Sequence, residues 1–172
     1  MAARGTFRIC LVCLGNICRS PMAAAVLRRQ LQDAGLSDDV TVESAGTSGW
    51  HVGGPADPRT LAALVGRGLS ADDHRARQFT QASFADYDLV LALDRDNLAE
   101  LHRLAPDELS RDKIQMLRAY DPRALASGDL DVHDPYYGDE HGFTRALDEI
   151  MPAVDGLVQA LVRELGSEHR EA

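Results

Sequence analysis

The chain alternates short apolar runs with longer segments of helical periodicity. Residues 7–12 form a short, largely continuous apolar run, the pattern of a strand buried on both faces. Residues 20–34 read as an amphipathic helix closed by Gly35, with Ser20 as N-cap and Pro21 at the first helical position. A second strand is predicted over 40–42, breaking at Ser44, Ala45 and Gly46. Residues 47–56 are irregular, with Gly49, Trp50, His51, Gly53, Gly54 and Pro55, and a loop of that length is usually functional or disordered. Asp57-Pro58 starts a helix to about residue 65, and a short segment follows at 80–84. Residues 88–93 predict a third buried strand, 95–104 a helix and 113–117 a shorter strand. The stretch 118–141 reads as irregular and acidic. A final helix over 143–165 is predicted, kinked by Pro152 and followed by Gly166.

Strands alternating with helices predict a single α/β domain over residues 1–172, a four-stranded parallel sheet with helices on both faces. Residues 1–6 and 167–172 are expected to be flexible ends. In such folds the ligand loops gather at the carboxyl ends of the strands. The loops at 13–19, 44–55, Asp94 and 118–141 are therefore predicted to share one rim.

Composition narrows the class. The 172 residues suffice for one core, and no apolar run approaches the roughly 18–20 residues of a membrane span. The first six residues lack the apolar centre of a secretory signal, so a cytoplasmic location is expected, with no membrane partner. The net charge of −9 argues against general nucleic-acid binding. Its distribution is uneven. Five arginines (Arg4, Arg8, Arg19, Arg28, Arg29) precede the first acid, Asp33, leaving thirteen of the 18 basic residues against all 27 acidic ones. The single lysine among many arginines and alanines hints at a GC-rich bacterial source.

The junction of first strand and first helix, Cys13-Leu14-Gly15-Asn16-Ile17-Cys18-Arg19-Ser20, collects unpaired backbone N–H groups at the positive end of a helix dipole. It is an anion site. Thiols facing a helix N-terminus and a guanidinium ionise readily, and the thiolate is the nucleophile. Arg19 offers a planar fork that matches two oxygens of a phosphate-like dianion. Gly15 allows a tight turn, and Asn16 tolerates left-handed backbone. All three cysteines, Cys10, Cys13 and Cys18, lie in the first 18 residues. Cys10 and Cys13 on one strand would stand about 10 Å apart, beyond the roughly 7 Å limit for a disulfide, so Cys10 reads as a packing residue. Cys13 and Cys18 end a tight loop and are expected to approach. No fourth ligand at finger-like spacing suggests zinc, and no metal or other cofactor is expected.

A cysteine, five residues, then arginine and serine is the phosphate loop of cysteine-dependent phosphatases. Written as CLGNICRSP near the N-terminus, it resembles that of the low-molecular-weight protein tyrosine phosphatases, and the resemblance extends over essentially the whole chain. It implies tyrosine-phosphorylated protein substrates and attack by Cys13, with the backbone N–H groups of Leu14, Gly15, Asn16, Ile17, Cys18 and Arg19 holding the phosphate. Asp134-Pro135-Tyr136-Tyr137-Gly138 looks like the family's acid loop. Asp134 would then be the general acid, and Tyr136 and Tyr137 would flank an aryl group. Asn16, Ser20, Ser44 and His74 match the positions that support the loop, and Trp50 and His51 match the variable substrate rim. A Cys13–Cys18 disulfide is expected to inactivate the enzyme reversibly and to shield Cys13 from overoxidation. Unchanged recovery from peroxide in Cys18→Ser would refute this.

Rival readings remain. An arsenate reductase shares loop and fold but relays electrons through further cysteines, and this chain has none after Cys18. A silent phosphotyrosine-binding module would be expected to lack the nucleophile or the acid, and a phosphocysteine carrier does not usually need the arginine.

Overall fold

The computed structural model describes residues 5–168. Strand β1 (Phe7–Cys13) sends Ile9, Leu11 and Cys13 into one buried cluster and Cys10 and Val12 into another. Burial on both faces is what a central parallel strand requires. β1 lies between β2 (Val40–Gly46) and β3 (Leu89–Ala92), and β4 (Ile114–Met116) completes a parallel sheet of order β2-β1-β3-β4. One face is covered by α1 (Arg19–Asp33), α2 (Pro58–Val65) and α6 (Glu140–Glu168). The other packs against α3 (Arg95–Leu104) together with Phe79, Phe84 and Tyr87. The expected architecture is the observed one.

Several boundaries differ, each for a local reason. β2 does not break at Ser44 but pairs with β1 as far as Cys13 opposite Gly46. The segment expected at 80–84 is a 3-10 turn over Gln81–Asp86. Leu117, expected to close the fourth strand, and residues 118–127, expected to be irregular, hold a 3-10 turn (Leu117–Tyr120) and α5 (Pro122–Ser127). Asp121 caps α5 by accepting from the Arg123 N–H at 3.0 Å, as Asp57 caps α2 from the Arg59 N–H at 2.8 Å. A further short helix, α4 (Glu108–Asp112), starts where Asp107 accepts from the Ser110 N–H. Helices of one or two turns are too brief for apolar periodicity to register.

α6 is longer than expected. It begins at Glu140, contains Pro152 and carries Gly166 inside it rather than beyond its end. A Cβ at Gly156 would lie 1.9 Å from the Tyr120 carbonyl oxygen, so only glycine lets α6 press on the 3-10 turn. Of the ends expected to be flexible, residues 1–4 and 169–172 lie outside the described residues, and 167–168 belong to α6. No helix among the described residues is long and apolar enough to cross a membrane.

The chain leaves β1 toward β2 at one edge and then crosses back to β3 on the other side. That reversal opens a crevice at the carboxyl end of β1, where parallel α/β sheets hold their ligands. Cys13 is the last residue of β1.

Candidate active site

Cys13 closes β1 and Arg19 opens α1, so residues 14–18 span the junction. α1 starts two residues before Pro21, the expected first helical position. Cys18 stands at the N-cap position without capping through its side chain, which leaves the first-turn N–H groups free of a side-chain acceptor. Ser20 is therefore not the N-cap. Its hydroxyl lies 2.9 Å from Cys13 Sγ and accepts a 2.8 Å hydrogen bond from Asn16 Nδ2. With one lone pair so occupied, the hydroxyl proton is free to face the sulfur, the Ala45 carbonyl being a longer alternative at 3.4 Å.

Asn16 is the hub of the loop. It is fully buried in the left-handed region, φ +56°, the one such non-glycine among the described residues. Its Nδ2 also donates to Ser44 Oγ at 3.0 Å, its Oδ1 accepts from the Arg77 N–H at 2.9 Å, and its carbonyl faces His74 Nε2 at 2.6 Å. Burial holds the His74 imidazole below its ordinary pKa, against the opposing pull of that carbonyl. Gly46 supports the loop from below. A Cβ there would come within 2.6 Å of the Leu14 carbonyl oxygen.

Arg19 is almost wholly buried. Its Nη1 donates to Asp94 Oδ2 at 2.6 Å and to the Val132 carbonyl at 3.1 Å, while Nη2 lies 3.6 Å from Asp134 Oδ2. Burial works against its charge, but Cys13, Asp94 and Asp134 outweigh it and hold its pKa above the ordinary arginine value. Cys18 is pushed up to about 12, first by burial and then by Asp57, Cys13 and Asp134. It is a protonated thiol at neutral pH. Cys10, likewise pushed up to about 12 by burial, is a core residue, as its place on the strand predicts.

These parts meet in a cavity of about 280 Å³ lined by the loop, Trp50, His51, Asp134, Tyr136 and Tyr137. The Asp134 side chain is 44% exposed and accepts from the Tyr136 N–H at 3.2 Å. Tyr136 and Tyr137 meet edge to face at 4.9 Å, and the His51 ring stands 6.4 Å from Tyr136. Trp50 is 76% exposed, so the single tryptophan belongs to the rim and not to the core. Every site residue named from the sequence is thus in or directly behind one cavity. No group of three His, Cys, Asp or Glu among the described residues could hold a metal ion.

The partners that hold these groups carry little signal in the sequence. The sequence predicts Asp94 on the rim; the structure makes it the carboxylate gripping Arg19 across 75 positions. Its N-cap bond to the Asn97 N–H was legible as an aspartate before a helix. Arg77 carries no local signal. It reaches Asn16 through its backbone and Ser44, Glu43 and Tyr87 through its guanidinium. Arg59 pairs with Asp57 and donates to the carbonyls of Tyr136 and Gly138.

Comparison with known proteins gives a consistent picture. The family model described as low molecular weight phosphotyrosine protein phosphatase matches residues 8–167. A low molecular weight protein-tyrosine-phosphatase of Streptomyces coelicolor is 55% identical, covering 92% of this chain and 95% of its own. The human low molecular weight phosphotyrosine protein phosphatase is 40% identical over 83% of this chain and 88% of its own. Among solved structures, a protein tyrosine phosphatase of Entamoeba histolytica superposes with a TM-score of 0.85 at 34% identity, covering 94% of this chain and 99% of its own.

Proposed function

The chain belongs to the low molecular weight phosphotyrosine protein phosphatase family, and from that premise we propose that it hydrolyses phosphotyrosine in proteins through a cysteinyl-phosphate intermediate. The observation that carries this reading is the convergence of Cys13, Arg19 and Asp134 on one cavity with an aromatic rim. A phosphate monoester enters with its oxygens on the N–H groups of residues 14–19 and on Arg19, and its aryl ring between Trp50, Tyr136 and Tyr137. Buried, oriented donors stabilise the charge on the transferring group without reorganisation.

In the first step the Cys13 thiolate attacks phosphorus in line, the P–S bond forms and the P–O bond to the aryl oxygen breaks. Asp134 gives its proton to that oxygen, and the phenol leaves. In the second, Asp134, now a carboxylate, takes a proton from water as the water oxygen attacks phosphorus. The P–S bond breaks, inorganic phosphate departs and the Cys13 thiolate returns. Ser20, already within hydrogen-bond reach of the sulfur, stabilises the departing thiolate. Neither step calls on a cofactor.

The test is metal-free hydrolysis of an aryl phosphate from pH 4 to 9. Wild type should give a bell-shaped profile, Cys13→Ser should abolish turnover, and Asp134→Ala should lower the rate by about 10²–10⁴. Turnover surviving in Cys13→Ser would overturn the nucleophile. Arsenate reduction, or phosphotyrosine binding without hydrolysis, would replace the phosphatase reading by one of its rivals.

A further inference from the structure

Asp134 stands on an exposed loop, yet catalysis requires it at a set distance from the phosphate held by residues 13–19. The contacts within its own loop are few: the Tyr136 N–H on Asp134 Oδ1 and the Gly138 N–H on the Pro135 carbonyl. Upstream, Arg19 lies 3.6 Å from Asp134 and donates to the Val132 carbonyl, and the His133 N–H donates to Glu149. Downstream of Asp134, a strap built at the start of α2 joins the two loops. The Asp57 N–H donates to the Ile17 carbonyl of the phosphate loop at 2.8 Å. The Asp57 carboxylate grips Arg59 through both oxygens, Oδ1 on Nε and Oδ2 on Nη2, each at 3.0 Å. Arg59 then reaches across to the acid loop. Its Nη1 donates to the Gly138 carbonyl and its Nη2 to the Tyr136 carbonyl, both at 3.1 Å.

The guanidinium is also seated by rings, 4.4 Å from the centroid of buried Phe143 and 5.9 Å from that of Tyr136. Tyr136 is thus held at its carbonyl and its ring, and its N–H orients the Asp134 carboxylate. A planar cation with several donors suits this task, and lysine could not make the same contacts.

We propose that Arg59, fixed by Asp57, is a positioning residue that sets the Asp134 carboxyl in register with the phosphate loop. The proposal rests on the phosphatase reading above. A residue acting only through the general acid has a signature that a residue supporting the fold or the phosphate site lacks. Its loss matters where the leaving group needs a proton and not where it leaves as a stable anion.

The experiment compares kcat/KM, which reports phosphoryl transfer to Cys13, for phenyl phosphate and 2,4-dinitrophenyl phosphate. Arg59→Met keeps an apolar stem against Phe143 and removes the guanidinium. It is expected to lower kcat/KM on phenyl phosphate about tenfold, part of the contribution of a general acid, and on the dinitrophenyl ester by less than about twofold. In an Asp134→Ala background the same change should cost nothing further on phenyl phosphate, because the two residues act as one unit. Arg59→Lys should not restore kcat/KM on phenyl phosphate.

Equal losses on both esters, no loss on either, or an additive loss in the double variant would overturn the proposal. Should Arg59→Met fail to fold, Asp57→Asn keeps the cap of α2, weakens the hold on Arg59 and should show the same split in smaller measure. A wild type inactive on both esters would overturn the phosphatase reading and this role with it. An active wild type without the split would overturn the role alone.

Discussion

The two halves of the active site are built in opposite ways. The phosphate loop is sunk at the carboxyl end of β1, with Asn16, Arg19 and Ser20 buried and every polar atom of the Asn16 side chain engaged. The acid loop lies on the surface, its carboxylate half exposed and Tyr137 95% exposed. The difference suits the proposed mechanism. Charge on a transferring phosphate is best met by dipoles already in place, so the cradle is over-determined. In the proposed mechanism the acid delivers a proton and later addresses water, and an exposed carboxylate is where solvent and substrate can reach it.

The largest contrast is expected from Asn16→Ala. It deletes the donors to Ser20 and Ser44, removes the acceptor of the Arg77 N–H and puts alanine in left-handed backbone. About 2–4 kcal/mol of stability should be lost, with activity on both good and poor leaving groups. Asp134→Ala should leave the melting temperature within experimental error while removing the general acid. Urea unfolding beside the two-ester assay checks both, and a stable Asn16→Ala protein would break the contrast.

A smaller effect sharpens it. Burial holds the His74 pKa below its ordinary value of 6.5, so the folded protein binds fewer protons there than the unfolded chain. The stability contributed by neutral His74 is present above pH 6.5 and is lost as pH falls toward the folded value. Unfolding free energies from pH 8 down to 5 should decline in wild type and more shallowly in His74→Gln. Equal slopes would remove His74 as the source. Asp57 titrates elsewhere. Burial raises its pKa, but its bonds with Arg59 prevail and lower it, so that its contribution fades only in acid.

Much of this was legible from local pattern. The run at 7–12, the Asp-Pro start of α2 and the helix Arg95–Leu104 are short-range signals, and the structure keeps them. The spacing of Cys13 and Arg19 is likewise local, and it placed an anion site at a strand–helix junction. Ser20 shows where local reasoning stops. Its position before a proline reads as a cap, yet tertiary contacts with Cys13 and Asn16 claim the hydroxyl.

Local pattern along the chain gave the order of the four strands and the longer helices, and it singled out Cys13, Arg19 and Asp134 as the candidate nucleophile, clamp and acid. Each of these rests on residues a few positions apart, or on a motif written contiguously. Folding settles which carboxylate grips Arg19, which backbone N–H holds Asn16 in its left-handed turn, and what ties the acid loop to the phosphate loop. Those partners lie 75, 61 and 77 or more positions apart, and no periodicity encodes such pairings. They form because a parallel sheet brings the carboxyl ends of its strands to one rim, where buried polar groups must find partners.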